Sequence, residues 1–292
     1  MTTELDPATR KDILTAQFNE ITEYHIYSRL ARRVRDPRNR ETLQRIADEE
    51  KAHSEIWKLY TGEDVKPGRF KVFFFTVVSR ILGLTFGVKL MEKGEEGAQI
   101  NYDRLAMSIP RAKEIEADEN RHEQELISML QEERLEYVGS IVLGLNDALV
   151  ELTGALAGLT FALQNATLIA LAGLITGIAA SFSMAASEYL SMKSEGEGER
   201  ALKAALYTGV AYVVTVILLV LPFLILGNYF ISLGITLGTA VLIILFFNYY
   251  VSIAKDLDFK RRFLEMAGLS LGVAALSFGI GYLVRIFLGI DV

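Results

Sequence analysis

The chain has 292 residues, a formal net charge of -6 and no cysteine, and 51% of its residues are hydrophobic. Without cysteine there are no disulfides and no thiolate metal sites, so a transition-metal site must use carboxylate, imidazole or thioether ligands. The acidic balance argues against nucleic acid as a partner. Most charged residues precede Tyr137, and long apolar runs follow it, which predicts a soluble domain over 1–136 and a membrane domain over 137–292.

The N-terminal segment MTTELDPATRKD is charged and has no apolar core, so we expect no cleavable signal peptide and a first domain that stays in the cytoplasm. Prolines in polar surroundings divide the first half of the chain into four predicted helices, roughly 8–35, 38–61, 70–107 and 111–136. The apolar start of the third helix is interrupted by Lys71, Arg80 and Lys89. We interpret it as a buried or membrane-surface segment, because its uncharged run is too short to span a bilayer.

Two of these predicted helices carry the same pair of metal-binding residues at the same spacing. Glu50 and His53 lie three positions apart in the second helix, and Glu119 and His122 do so in the fourth. Side chains at i and i+3 share a helical face, so each pair can hold one metal ion. Four-helix bundles build dinuclear sites from two such pairs plus a Glu from each of the other two helices.

The other two predicted helices supply candidates for the remaining carboxylates. The first helix offers Glu20 in FNEITEYHIY, and the third offers Glu92, Glu95 and Glu96 in MEKGEEGAQINY. An alternative interpretation is that all these residues lie on solvated helix faces, stabilised by ion pairs with neighbouring Lys and Arg. The order of the ligands, with a Glu and a Glu-x-x-His pair alternating over four helices, favours the metal site.

With this order of ligands, residues 8–136 resemble a ferritin-like domain of the rubrerythrin type, an all-α four-helix bundle. The resemblance implies a di-iron cofactor, with manganese as an alternative metal. The implied ligands are Glu20, Glu50, His53, Glu92, Glu95, Glu119 and His122. Glu96 stays open as an alternative third-helix ligand. Rubrerythrins often add a Cys-rich rubredoxin module, and its absence here argues against a peroxidase cycle.

The second half contains five apolar segments, each long enough to span a bilayer, at about 138–162, 167–192, 204–226, 229–253 and 265–289. Lys and Arg are concentrated in KSEGEGERALK and AKDLDFKRRF, whereas the loops QNAT and GN carry no charge. The positive-inside rule therefore puts the basic loops and the N-terminal domain in the cytoplasm and the C-terminus outside. Pairs of Gly at 154/158, 173/177, 234/238 and 268/272 predict close helix packing.

Ionisable residues lie inside the first two of these segments. Asp147 and Glu151 are one turn apart in the first segment, and Met184 and Glu188 are one turn apart in the second. Burying a charge in hydrocarbon costs at least ~2.5 kcal/mol unless it faces a partner or a pathway. Carboxylates facing a thioether would suit Fe2+ or Mn2+. Alternatively, Met184 is a packing residue and Glu188 lies at the membrane interface beside Lys193.

These two segments resemble the vacuolar iron transporter family, whose first span carries G-x-x-D, here Gly144 to Asp147, and whose second carries S-M, here Ser183 and Met184. The resemblance covers 138–292 and implies a proton-coupled carrier of Fe2+ and Mn2+ that works as a homodimer. Plant members have a long Glu-rich insert between spans two and three, where this chain has a loop of about ten residues. They also have a carboxylate where this chain has Thr176, so Glu151 and Glu188 are expected to replace it.

The combination of both domains resembles the prokaryotic membrane-bound ferritin proteins, which are implicated in iron export. We therefore expect a proton-driven exporter of Fe2+, and of Mn2+ as an alternative cargo, in the plasma membrane of a prokaryote. Its cytoplasmic di-iron domain would collect, sense or oxidise iron. Two alternatives stay open: a membrane-anchored di-iron oxidoreductase without transport, acting as a ferroxidase or peroxidase, and a non-transporting iron sensor. An anchor has no use for an intramembrane carboxylate such as Asp147, which favours transport.

Overall fold

The computed structural model describes residues 6–96, 102–129 and 137–288, and every regular element within these ranges is a helix. The prediction of an all-α protein is therefore confirmed. The chain divides into two compact units, Met1–Glu132 and Glu133–Val292. Each unit is described separately below.

The first unit contains α1 (Pro7–Ala31), α2 (Pro37–Thr61), α3 (Arg69–Leu82), α4 (Leu84–Glu96), α5 (Tyr102–Ala106) and α6 (Ala112–Met129). The first two helices begin alike, because Asp6 and Asp36 accept hydrogen bonds from backbone N–H groups of the first turn and a proline follows each aspartate. Helix α1 ends at Ala31, four residues before the predicted residue 35.

The predicted single helix over 70–107 is wrong. Gly83 separates α3 from α4 with a φ of 104°, a conformation that side chains rarely permit. After this break α4 packs against α3. Gly87 permits their close approach, because a Cβ at this position would lie 1.9 Å from the Ser79 hydroxyl oxygen. Two glycines therefore convert the expected long helix into shorter ones.

The core of the first unit consists of two apolar clusters. One contains Ile13, Ala16, Trp57, Leu105, Ile109, Ala112 and Ile115. The other contains Ile26, Tyr27, Leu30, Ala31, Leu43, Ile46, Ala47, Val72, Val88, Met91 and Leu126. Along α1, α2 and α6 the predicted ligand positions fall between members of these clusters. The ionisable side chains are thus enclosed by apolar layers on both sides.

The second unit contains five helices long and apolar enough to cross a membrane, as predicted. Span 1 consists of α7 (Val138–Asp147), a π-helical turn (Ala148–Leu152) and α8 (Thr153–Leu163). The other four are α9 (Ala166–Ser194), α10 (Gly198–Ile225), α11 (Tyr229–Ala254) and α12 (Phe259–Leu288). Helices α9 and α10 extend beyond their apolar stretches, so only residues 195–197 separate them, and the predicted ten-residue loop is wrong.

The glycine pairs differ in what they pack against. A Cβ at Gly158 would lie 2.9 Å from the carbonyl oxygen of Ser277, and one at Gly177 would lie 2.7 Å from Val216. The pairs 154/158 and 173/177 therefore permit close helix packing, as predicted. At positions 234, 238, 268 and 272 a Cβ would meet no described atom within 4 Å, so close helix packing at these two pairs stays a prediction.

Candidate metal centres

Four side chains from three helices converge in the layer between the two apolar clusters. Glu20 from α1, Glu50 and His53 from α2, and Glu119 from α6 each offer one ligand atom, and these atoms lie within 4.8 Å of one another. His53 Nδ1 lies 3.5 Å from Glu20 Oε2, 3.7 Å from Glu50 Oε2 and 3.4 Å from Glu119 Oε1. These separations are longer than those of ordinary hydrogen bonds.

The four facing atoms have no hydrogen-bond partner among the residues that the structure describes. They are Glu20 Oε2, Glu50 Oε2, His53 Nδ1 and Glu119 Oε1. Each such buried atom costs about 1 to 3 kcal/mol, whereas one divalent cation among them would satisfy all four. Ligands held at about 2.1 Å from an ion lie at most about 4.2 Å apart, so small side-chain movements would complete the coordination. These residues fit a metal ion, and carboxylate with imidazole suits iron or manganese.

His122 lies beside this group and is held by two glutamates. Its Nδ1 lies 2.9 Å from Glu50 Oε1, and its Nε2 lies 2.5 Å from Glu49 Oε2. The rings of His122 and His53 are stacked, with their centroids 6.0 Å apart. A second ion at His122 would replace its hydrogen bond to Glu50. The structure thus brings the predicted ligand His122 next to the four-residue group without including it.

The predicted third-helix ligands Glu92 and Glu95, and the alternative Glu96, lie on α4. Their side chains lie outside the described residues. Their part in the metal site therefore stays a prediction.

Sequence reasoning missed two carboxylates that orient the histidines. His53 Nε2 lies 3.3 Å from Asp118 Oδ2, and His122 Nε2 lies beside Glu49 Oε2. Each histidine is therefore oriented by a carboxylate from the other helix: His53 of α2 by Asp118 of α6, and His122 of α6 by Glu49 of α2. A carboxylate on the far nitrogen of a metal-binding histidine fixes the tautomer and ring orientation. The signal in the sequence was an acidic residue directly before the Glu of each pair.

Two arginines hold these outer carboxylates in place. Arg45 Nη1 lies 3.1 Å from both oxygens of Glu49, and Arg121 lies 3.0 Å from Glu49 and 2.7 Å from Asp118. Burial opposes ionisation of Glu49, but hydrogen bonds from His122 and Arg45 lower its pKa. Glu49 therefore stays an ionised acceptor for the histidine.

The acids of this group oppose one another's ionisation, because they are crowded and buried. Burial raises the pKa of Glu20 to about 8, although His53 opposes the shift. Burial also raises the pKa of Glu119, and the charge of Glu20 adds to that shift. Burial alone would lower the pKa of His53, but the carboxylates of Glu119, Glu20 and Glu50 raise it well above its usual range. A divalent cation among these carboxylates would offset the same repulsion between their charges.

Two aromatic residues complete the surroundings of Glu20. Trp57 Nε1 donates a hydrogen bond to Glu20 Oε1 at 3.0 Å, which leaves Oε2 to face the site. Burial, together with the charges of Glu20 and Glu119, raises the pKa of Tyr102, so its hydroxyl stays protonated. Trp57 is the only tryptophan of the chain, which makes its fluorescence specific for this site.

In the second unit, the polar residues of span 1 lie at an irregularity of the helix. The π-helical turn follows Asp147 directly and contains Glu151. Such turns are frequent at functional sites. The hydroxyl of Tyr212, on α10, donates a hydrogen bond to Glu151 Oε2 at 3.1 Å, and Asp147 directly precedes the turn that carries Glu151. The sequence analysis did not identify Tyr212, since a tyrosine within an apolar run has no distinguishing pattern.

The glycine of G-x-x-D explains how Tyr212 reaches this place. A Cβ at Gly144 would lie 2.4 Å from the carbonyl oxygen of Thr208, so only glycine permits α7 and α10 to approach this closely. The Thr208 hydroxyl donates to the backbone oxygen of Ser140 at 3.0 Å. Tyr212 follows Thr208 by one helical turn, so it lies on the same face of α10 and reaches Glu151 of span 1.

The predicted pathway residues of α9 make separate contacts. Glu188 accepts a hydrogen bond from the Ser140 hydroxyl at 2.5 Å, and Met184 is half-buried against the apolar core of the unit. Within the described residues no contact joins Glu188 to Asp147 or Glu151. The predicted pathway carboxylates Glu151 and Glu188 thus make separate contacts, with Tyr212 and with Ser140, while Met184 packs against the apolar core.

The comparison with known families concerns the same helices. Residues 138–202 match the model of the VIT family, a range that contains Gly144, Asp147, Glu151, Met184 and Glu188. No curated protein matches the chain. The predicted resemblance of the membrane domain to the vacuolar iron transporter family is confirmed over this range. The chain is thus a multi-pass membrane protein whose first two spans are similar to those of the VIT family.

Proposed function

We propose that this protein exports divalent iron or manganese from the cytoplasm in exchange for protons. The observation that carries the proposal is the hydrogen bond from Tyr212 to Glu151 in the π-helical turn that directly follows Asp147, inside the range similar to the VIT family. An intramembrane carboxylate cluster is expensive unless it serves a pathway. Oxygen ligands of this kind suit hard divalent cations.

In this proposal Asp147 holds a metal ion and a proton in alternation. A permanently charged site in a low-dielectric pathway would bind the cation too firmly to release it, and a permanently neutral site would not bind it. Glu151 shares the charge of the cation, and the Tyr212 hydroxyl keeps Glu151 oriented between transport steps. Met184, from α9, offers a thioether that favours Fe2+ over harder ions.

The first unit supplies a metal site on the cytoplasmic side. Glu20, Glu50, His53 and Glu119 would hold the ion, and His122 with the α4 carboxylates would complete a second position. A di-iron pair bound there would supply redox chemistry for oxidising Fe2+. The buried acids of this chain concentrate the ion from the cytoplasm, and Asp118 and Glu49 keep the histidines in their binding orientation. The site would collect, sense or oxidise iron.

The two basic loops of the second unit support an orientation with these loops and the first unit in the cytoplasm. The resemblance to the prokaryotic membrane-bound ferritin proteins supports a location in the plasma membrane of a prokaryote. The similarity to the vacuolar iron transporter family supports a homodimer. Membrane lipid and protons are the remaining partners of the proposed exporter.

Transport is tested with the full chain in proteoliposomes under an imposed pH gradient. Mn2+ flux and, without oxygen, Fe2+ flux are measured together with proton flux. Asp147→Asn keeps the shape but cannot titrate, so we expect it to abolish metal and proton flux together. Glu265→Gln removes an exposed carboxylate of α12, paired with Arg261, and should leave both fluxes intact. Flux that survives in Asp147→Asn would make the intramembrane carboxylate structural.

A second candidate function is a membrane-anchored di-iron oxidoreductase. The buried four-ligand group of the first unit favours it, because this group needs no transport pathway to act. The two functions differ in the wild-type protein: an anchored enzyme would oxidise Fe2+ with no flux across the membrane. His53→Ala would then abolish oxidation, whereas Asp147→Asn would leave it unchanged.

A further inference from the structure

Helix α3 presents its bulky apolar side chains outward. Phe70 is 78% exposed and Phe73 is 63% exposed, whereas the buried positions are the smaller Val72, Thr76 and Ser79. A helix at the surface of a water-soluble protein normally shows the reverse arrangement. Exposed clusters of large apolar side chains mark interaction surfaces.

The exposed aromatic residues form one continuous stripe. At about 100° per residue, Phe70, Phe73, Phe74 and Val77 fall within an arc of about 100° on α3. We call these four residues the Phe face. The rings of Phe70 and Phe74 are stacked, with their centroids 6.2 Å apart. The face is therefore a compact aromatic surface, not scattered apolar residues.

Cations border the Phe face on both sides. On the same projection Arg69 and Arg80 fall along one edge of the stripe and Lys71 along the other, at about 70° to 110° from its centre. All three side chains are exposed, and in the described part of the chain none of them pairs with a carboxylate. Lys71 instead lies over the ring of Phe18, with Nζ 5.5 Å from the ring centroid. This basic border is a second feature independent of the aromatic stripe.

We propose that the Phe face of α3 binds the surface of a lipid bilayer that carries anionic headgroups. An apolar stripe flanked by cations lets the rings enter the acyl boundary while the cations contact lipid phosphates. Helix α3 has 14 residues, which is too short to span. The same chain carries five membrane-capable helices, so the first unit is tethered to a protein segment that lies in a bilayer.

Charge argues for lipid over a second copy of the chain. In a two-fold symmetric contact the same patch lies on both partners, so two basic borders would face each other. Like charges across such a contact are unfavourable, whereas anionic headgroups complement them. The bilayer-bound helix would hold the first unit at the membrane surface through a contact that weakens with salt.

The test uses the full chain reconstituted in phosphatidylcholine vesicles with and without phosphatidylglycerol. The protein has no cysteine, so Phe73→Cys accepts a single environment-sensitive fluorophore. Glu55→Cys, on an exposed position of α2, is the matched control. Lipid-borne nitroxide should quench the Phe73→Cys probe several-fold more than the control probe, and aqueous iodide should quench the control preferentially.

The basic border is tested in the same preparation. Arg69→Glu combined with Arg80→Glu, or added salt, should reduce lipid quenching of the Phe73→Cys probe, and omission of phosphatidylglycerol should do the same. Quenching by iodide alone would overturn the proposal. So would energy transfer between Phe73→Cys probes on two copies without lipid quenching, which would assign the face to a second copy.

Discussion

The imidazole of His122 and the carboxylate of Glu49, 73 residues apart in the chain, lie 2.5 Å apart between Nε2 and Oε2. The opposite nitrogen of the same ring faces Glu50 at 2.9 Å. Arg45 and Arg121 hold Glu49 in turn. A partly exposed carboxylate thereby sets the orientation of a buried histidine in the proposed metal site.

Glu49→Gln should therefore weaken metal binding without unfolding the first unit. The amide keeps the size of the side chain but removes the charge that orients His122, and loss of such a partner typically lowers affinity about 10- to 100-fold. The measurement is a titration of the full chain with Mn2+, followed by Trp57 fluorescence. Glu123→Gln, at an exposed position of α6, should behave as the wild type. Equal affinities for Glu49→Gln and the wild type would contradict the orienting role.

His53→Ala should lower the affinity for Mn2+ by more than tenfold, because it removes the only nitrogen ligand of the four-residue group. The three remaining carboxylates also lose the imidazole that faces all of them. The same fluorescence titration measures it. His25→Ala is the matched control, since His25 is a half-buried histidine of α1 outside the group. A wild-type affinity in His53→Ala would refute the metal site as described.

The stability of the metal-free protein should fall as the pH rises. Folding raises the pKa of Glu20 from 4.5 to about 8, so its stabilising contribution is complete below about pH 4.5 and is lost as the pH passes 8. Bound Mn2+ should restore stability at high pH. Below pH 8 the Mn2+ ion must displace protons from the site. Its affinity should therefore fall about tenfold for each unit by which the pH is lowered and for each proton displaced.

Thermal unfolding followed by Trp57 fluorescence, with chelator or with Mn2+, measures this dependence from about pH 6 to about pH 9. Glu20→Gln should flatten the pH profile of the metal-free protein, because the amide does not titrate. An unchanged slope in Glu20→Gln would assign the titration to another group.

Tyr212→Phe should slow metal transport about tenfold or more. The substitution keeps the buried ring but removes the hydroxyl that donates to Glu151, a bond to a charged group. Flux into proteoliposomes is the measurement. Tyr207→Phe, on the same helix, changes a ring that stacks on Tyr137 away from the carboxylates, and should keep the wild-type rate. Equal rates for both variants would remove Tyr212 from the pathway.

The orientation of the spans can be read from single cysteines in a chain that has none of its own. An impermeant maleimide should label Gln164→Cys from outside intact cells. It should label Ser194→Cys only after the membrane is permeabilised, because the basic loop beside Ser194 is expected in the cytoplasm. The opposite pattern would put the first unit outside and contradict export from the cytoplasm.

The sequence by itself determined the features that depend on local spacing. Glu50 and His53 share a helical face because they are three residues apart, whatever the rest of the chain does. The five apolar helices follow from length and composition, since a bilayer admits few alternatives to a helix. The Asp–Pro pairs at 6–7 and 36–37 start helices through their own side chains.

Only the tertiary structure decided which atoms meet. The two Glu-x-x-His pairs predict the same role for His53 and His122. Packing of α1, α2 and α6 instead brings His53 to the three glutamates of the metal site. It holds His122 between Glu49 and Glu50. The approach of Tyr212 to Glu151 past Gly144 likewise depends on a contact between segments that are far apart in the chain. Periodicity fixes the face of a helix on which a residue lies, but the distance between two such faces is set by core packing between helices.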